Sequence, residues 1–310
     1  MESISVVVVS YRTPALTLGA ARSALAVPGV RQVVVIDNNS RDESADLLHA
    51  LHDARLRVVV NATNRGYGTA ANQGADVAVG QLLLFLNSDA QLTAEATTAL
   101  ADEIRARAGR AIVGARVVDP GGTVQRSAGL LPGPLDLTIR ALTLNRIAAA
   151  AARFPLIGAL MNASRIAVEY DSAPRATQPI ETTMVTGACF AIGREAFREL
   201  GGFDERFFMY FEDADLCKRA AAAGMPIRYV PSAVVTHIGG ASSSEDYHFG
   251  PLHARAMRQY LGKWYGSAGA MFALLLLCIR AVVMTLTFQR AAPRARRAFW
   301  AALRDEDPRR

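Results

Sequence analysis

Four apolar runs punctuate the first ninety residues, and each gives way abruptly to polar ones. Residues 4–9 end at Ser10-Tyr11-Arg12, Gln32–Ile36 at Asp37, Leu56–Val60 at Asn61, and Gln81–Leu86 at Asn87-Ser88-Asp89. The first run is rich in β-branched residues, and the runs lack polar alternation, which predicts a parallel sheet covered on both faces. Between them lie helical stretches: Pro14 to about Val27, Asp42–His52, a segment opened by Asn64-Arg65-Gly66-Tyr67-Gly68 and running to Val79, and Thr93–Arg107. Thr13 ahead of Pro14 predicts an N-cap with proline at the first helical position. Strand and helix alternating four times predict an α/β fold whose mostly parallel sheet is sandwiched by helices.

After Ile112–Ala115 the rhythm changes. Residues 116–180 read as irregular, with a turn at Pro120-Gly121-Gly122 and an alanine-rich patch at 148–152. A strand over Thr183–Ile192 and a helix over Arg194–Leu200 follow. Phe211-Glu212-Asp213-Ala214-Asp215 begins another helix, and Ile227–Val230 and Ala233–Thr236 read as two short strands, the second ending at His237.

The chain has 310 residues, 51% hydrophobic and 20% charged, enough apolar material to exclude a disordered protein. Cys189, Cys217 and Cys278 have no metal-site or disulfide spacing, which suits a reduced, intracellular setting. Residues 1–9 offer neither a basic start nor an apolar stretch long enough for a secretory leader. The net charge is +6, but residues 289–310 alone hold seven arginines against three acids. The remaining body is close to neutral, which argues against a nucleic-acid groove.

In open α/β sheets, ligands sit beyond the carboxyl ends of the strands, where Tyr11, Asp37, Asn61 and Asp89 fall. Each of these also serves well as a turn former or cap. An acidic rim suits Mg²⁺ or Mn²⁺ bridging a carboxylate to substrate phosphates, and His237 can add an imidazole that Mn²⁺ accepts more readily. Glu212-Asp213-Ala214-Asp215 is the densest acidic cluster of the body and follows the aromatic stretch 207–211. Acids at a helix start favour the macrodipole. Carboxyls beside apolar bulk also gain raised pKa values that fit them as general bases. Glu212 and Asp215 should share one helix face, with Asp213 pointing elsewhere.

Taken in order, Ser10-Tyr11, Ile36–Ser40, Asn64–Gly68 with Ala71-Asn72, Leu86–Ala90, Thr186–Phe190 and Gly201–Arg219 resemble a family 2 glycosyltransferase of the GT-A fold, nearest to bacterial rhamnosyltransferase-like members. The resemblance covers roughly residues 4–240. It implies inverting transfer of a single sugar from a nucleotide diphosphate donor, with deoxythymidine diphosphate rhamnose as the best match, onto a glycan or polyprenyl-diphosphate-linked acceptor in cell-envelope polysaccharide synthesis. By position, Tyr11, Asp37, Arg65 and Asn87 would bind the donor, and Asp89 and His237 a divalent metal. Asp213 would be the base that activates the acceptor, with Glu212 beside it. One departure stands out: the first position of the family's DxD motif is Asn87. The QxxRW motif of processive members is absent, consistent with addition of one or a few sugars. The competing classes are a sugar nucleotidyltransferase, which would carry a lysine-containing phosphate loop after its first strand, and a non-catalytic sugar-nucleotide-binding or scaffold protein.

The resulting domain plan is a catalytic unit over 1–240, a helical segment over 241–288 and a basic tail over 289–310. Within the segment, Ser267–Phe288 is apolar for 22 residues except Arg280, long enough as a helix to span about 33 Å. A charged residue past its midpoint makes a free span costly. Two placements remain open: a helix lying in the membrane interface with the basic tail against anionic lipid, or a helix packed on the catalytic unit or on a second subunit. A dimer presenting both tails to one membrane combines them. The expected location is the cytoplasm, peripheral on the inner face of the bacterial membrane.

Overall fold

The computed structural model describes residues 3–141, 175–239, 250–286 and 292–304. Its first half is the predicted alternation: β1 (Ile4–Ser10), α1 (Pro14–Leu25), β2 (Val30–Asp37), α2 (Ser44–His49), β3 (Leu56–Val60), α3 (Tyr67–Asp76), β4 (Leu82–Asn87), the two-residue β5 (Ala90–Gln91) and α4 (Ala94–Arg105). Then come β6 (Ile112–Val118), β7 (Ala128–Gly129), α5 (Pro134–Ala141), β8 (Ile180–Thr182), β9 (Met184–Val185), β10 (Cys189–Gly193), α6 (Arg194–Glu199), α7 (Glu212–Ala222), β11 (Ile227–His237), α8 (Pro251–Leu286) and α9 (Ala292–Arg304). The alanine-rich patch at 148–152 lies outside the described residues.

Nine strands form one sheet in the order β3-β2-β1-β4-β10-β6-β11-β5, with β8 on the flank of β11. The unbroken apolar runs have a simple cause. Along β1, Val6 and Val8 enter the core under α1 and α4, while Val7 enters the core under α3 and α6. Alternate side chains of β1 are buried on opposite faces, which keeps its run apolar from Val6 to Val9, whereas the edge strand β3 leaves Arg57 and Val60 exposed, contrary to burial on both faces.

The second half of the sheet is mixed. β1–β2, β1–β4, β2–β3 and β6–β11 are parallel, whereas β10 runs antiparallel to both β4 and β6. The strand expected over Thr183–Ile192 is interrupted at Thr186-Gly187-Ala188, so β9 pairs with β7 in a separate ribbon while β10 joins the main sheet. The two short strands expected after residue 226 form one, β11, whose register with β6 shifts between Val230 and Val234, around Pro231. A proline lacks the N–H that an even ladder needs.

α8 is sharply broken at Gly266, where φ is 66° and ψ is −159°. A Cβ on Gly269 would lie 2.2 Å from the Leu261 carbonyl oxygen. In a straight helix, eight residues span about 12 Å, so the two arms fold back on each other. The first arm buries Met257, Tyr260 and Leu261, and the second buries Ala273, Leu276 and Leu277. Both sit in one cluster with Phe207, Phe211 and Ala298 and Ala302 of α9. The packed placement is therefore realised for half of the apolar segment, up to Leu286; Phe288 lies outside the described residues.

Candidate active site

Three groups of polar side chains line the carboxyl edge of the sheet. The ladders pair Ser10 with Asp37 and Val9 with Asn87, which places Asp37 and Asn87 on either side of the end of β1. Asp37 is buried, and its Oδ1 accepts from the Ser40 N–H at 3.0 Å. The Arg12 N–H reaches the Ser40 hydroxyl at 2.9 Å, and the Arg12 guanidinium lies 5.1 Å from the Tyr11 ring centre. Asn38 joins the neighbouring loop: its amide donates to Asn64 Oδ1 and the Gly66 carbonyl, and its Oδ1 accepts from Asn61 and the Arg65 N–H. Arg12, Asn39 and Arg41 all have positive φ, so this rim is built from strained turns held by side-chain bonds. Thr13 precedes α1 as expected, but its hydroxyl does not cap the helix. It donates instead to Ser88 at 3.2 Å, tying α1 to the turn after β4.

The second group forms where β5 and the end of β11 pair, setting His237 opposite Ala90. His237 Nε2 lies 3.1 Å from Asp89 Oδ1 and 3.2 Å from Asn87 Nδ2. On its other side, Nδ1 lies 2.9 Å from Gln125 Oε1, while Gln125 Nε2 donates to the His237 carbonyl at 2.8 Å. Since the Gln125 nitrogen must serve that carbonyl, its oxygen faces Nδ1, and Nδ1 carries the proton. The Nε2 lone pair then faces the Asp89 carboxylate, an arrangement that calls for a proton or a cation between them. Asp89 Oδ2 accepts from the Gly239 N–H at 3.1 Å. Among the described residues no group of three or more His, Cys, Asp or Glu gathers around one point. Two ligands of this type nonetheless fit Mg²⁺ or Mn²⁺, which keep water and substrate phosphate oxygens in their remaining positions. Gln125 is the outer partner that orients the imidazole.

The third group opens α7. Asp213 Oδ2 accepts from the Gly187 N–H at 3.0 Å and Oδ1 from its neighbour Ala214 at 2.7 Å. Glu212 is buried against α3, and its Oε2 has no hydrogen-bond partner. Burial, reinforced by the Asp213 charge, pushes Glu212 up to about 8. Burial also raises Asp213, but its backbone donors pull the other way. Asp213 accepts from two backbone N–H groups while Glu212 Oε2 has none, so of the two carboxyls Glu212 holds a proton the more readily. Burial and the same two carboxyls hold the Tyr67 hydroxyl far above its usual range.

Two links join the groups. The Asn87 N–H donates to the Ala188 carbonyl, next to the Gly187 that binds Asp213. The Tyr67 N–H donates to the Phe208 carbonyl at 2.8 Å, and a Cβ on Gly66 would sit 2.4 Å from that same oxygen. Only glycine lets the two loops meet there. Tyr210 and Phe211, immediately before α7, have φ of 74° and 67°, and the Phe211 ring packs on Tyr260 of α8. Asp215 differs from expectation. It is fully buried and turned to α8, bound by Arg219 at 2.8 Å, Trp264 Nε1 at 3.0 Å and Lys263 at 2.5 Å. Lys218 stacks over Trp264 at 4.5 Å, so the two lysines of the whole chain flank one joint between α7 and α8. Burial pushes the Cys189 and Cys217 thiols up to about 12, which makes them inert core residues.

The model of glycosyl transferase family 2 matches residues 5–201, and that of glycosyl transferase family group 2 matches residues 162–303. The chain belongs to glycosyl transferase family 2. It is similar to the N-acetylglucosaminyl-diphospho-decaprenol L-rhamnosyltransferase of Mycobacterium tuberculosis, with 29% identity over 79% of each chain. It is also 30% identical, over 69% of this chain, to 15% of the much longer O-antigen biosynthesis protein RfbC of Myxococcus xanthus. Among solved structures, the mannosyltransferase PcManGT of Pyrobaculum calidifontis, in complex with GDP-Man and Mn²⁺, aligns over 98% of this chain and 87% of its own, with a TM-score of 0.56 at 15% identity. TarS 1–349 of S. aureus aligns over 98% of this chain and 80% of its own, with a TM-score of 0.55 at 14% identity. These likenesses bear out the GT-A fold, and the family establishes a glycosyltransferase that uses a nucleotide-sugar donor. Gln125, Asn38 and Gly187 were not singled out in the sequence. Gln125 lies in an irregular stretch, where no periodicity or motif marks it.

Proposed function

We propose that the protein is an inverting transferase that moves a single L-rhamnosyl unit from deoxythymidine diphosphate rhamnose to a hydroxyl of a polyprenyl-diphosphate-linked glycan. It would do so at the cytoplasmic face of the bacterial membrane, during cell-envelope polysaccharide synthesis. Similarity to the Mycobacterium tuberculosis N-acetylglucosaminyl-diphospho-decaprenol L-rhamnosyltransferase supports both donor sugar and acceptor class. The observation that carries the reading is the continuity of the rim: the donor-side turns at Asp37, the Asp89–His237 pair and the Asp213 carboxylate are tied together through Gly66–Phe208 and Asn87–Ala188.

In this reading Tyr11, Asp37, Arg65 and Asn87 bind and orient the nucleotide. Asp89 and His237 would hold Mn²⁺ or Mg²⁺, which supplies charge neutralisation for the departing diphosphate. Bound Mn²⁺ in the Pyrobaculum structure supports this assignment. Asp213 takes the proton from the acceptor hydroxyl as that oxygen attacks the sugar from the face opposite the diphosphate. Glu212, raised by burial, would in its protonated form add no second negative charge beside the attacking oxygen. A panel of nucleotide sugars, followed by release of nucleoside diphosphate with and without a polyprenyl-diphosphate acceptor, tests the reading. Acceptor-dependent release of deoxythymidine diphosphate is expected, and preference for another donor or for a soluble acceptor overturns the corresponding half.

A further inference from the structure

The second arm of α8 keeps one face off the body. Met271, Leu275, Ile279, Val282, Val283 and Leu286 are exposed, Met271, Leu275 and Leu286 at 70%, 59% and 72%. Steps of three and four residues put them on a single stripe, running about 22 Å along the helix. The opposite side of the same arm is sealed by Ala273, Leu276 and Leu277 within the fold. A continuous exposed apolar stripe of this kind marks an interaction surface.

α9 borders it. This helix buries Ala295, Ala298 and Ala302 and exposes Arg296, Arg297, Trp300, Leu303 and Arg304, which fall on one helical face. Arg296 donates to the hydroxyl of Thr285 at 3.4 Å, which sets its guanidinium beside the stripe. Neither residues 267–286 nor α9 contains an acid. A two-fold contact between copies would bring this patch against itself and leave arginines facing arginines with no carboxylate from either helix. An anionic leaflet satisfies both features: acyl chains for the stripe, headgroup phosphates for the arginines, and the interface for Trp300, half exposed at 53%.

We infer that the second arm of α8 and the exposed face of α9 form an in-plane platform that seats the protein on an anionic bilayer without crossing it. The fold-back at Gly266 and the sealed inner face leave only one side of the arm for lipid, which a spanning helix surrounded by acyl chains would not show. The platform deepens the lipid-linked-acceptor reading but is measured without sugar or turnover, so each can fail alone.

The test is sedimentation of the full chain with vesicles of phosphatidylcholine alone and of phosphatidylcholine mixed with phosphatidylglycerol. Binding to the mixed vesicles is expected, weakened by raised salt and released from cell membranes by alkaline carbonate. Arg296→Gln together with Arg297→Gln should lower partitioning roughly thirtyfold, from about 1 kcal/mol for each arginine near the surface. Leu275→Glu should lower it independently, with the melting temperature unchanged because the side chain is exposed. Should Leu275→Glu fail to fold, the arginine pair and the carbonate extraction still decide. Retention after carbonate extraction, equal binding to neutral vesicles, or a dimer that Leu275→Glu splits while vesicle binding persists would each overturn the inference.

Discussion

Two side-chain pairs sit on one rim and are built in opposite ways. Asp89 and His237 lie 3.1 Å apart among amides and backbone N–H groups, with Gln125 setting the imidazole and Gly239 holding the carboxylate. Glu212 and Asp213 stand beside apolar bulk, one carboxyl oxygen left without any partner. A carboxylate therefore meets two different environments. A polar, well-bonded pocket favours the charged carboxylate, which suits the proposed cation, while a crowded one raises both carboxyls, which suits the proposed base.

The comparison is tested most severely at Asp213. Asp213→Asn should lower kcat roughly a thousandfold, within the range of a lost general base, and leave the donor dissociation constant within about threefold. Loss of donor affinity with turnover preserved would move this carboxylate into the donor pocket. The next effect concerns Glu212 and appears in stability. A carboxyl held near 8 in the fold binds its proton more tightly than one at 4.5 in the unfolded chain. The unfolded state sheds that proton first, so stability falls as pH rises from about 4.5 to about 8. Glu212→Gln should remove that slope and raise stability by about 3 kcal/mol at pH 7, as read from denaturant titrations at several pH values. Stability unchanged across the window would mean that Glu212 is solvated. The smallest effect belongs to the polar pair. Gln125→Leu frees the imidazole tautomer and should weaken Mn²⁺ binding roughly tenfold to a hundredfold by calorimetry, the range seen when an outer partner of a metal ligand is removed. Mn²⁺ affinity unmoved by this change would separate Gln125 from the cation altogether.

Local order explains why the strand-end residues of this rim were legible. An unbroken apolar run ending on Asp37 or Asn87 determines a buried strand, the polar residue at its tip and, through parallel alternation, the edge on which all such tips gather. Asp89, His237 and the 212–213 carboxyls stood out by their strand ends or their acidic cluster, and the family motifs assigned their expected roles and added Arg65. Other features escaped because their partners are distant along the chain. Nothing near Gln125 announces that it meets His237, 112 residues away. Nothing near Asp215 announces Trp264 and Lys263, which turn it from the acidic cluster into the pin between α7 and α8.

The apolar segment after Ser267 shows the division most clearly. Its composition determined that a long hydrophobic helix would form, and the arginines after it determined the sign of the charge beside that helix. Only the folded chain decided which half would be buried, because the break at Gly266 folds the helix against its own first arm and against Phe207 and Phe211. Hydropathy adds up along a sequence regardless of direction, whereas burial depends on which side of each turn meets the body, and that is set by contacts between residues far apart in the chain.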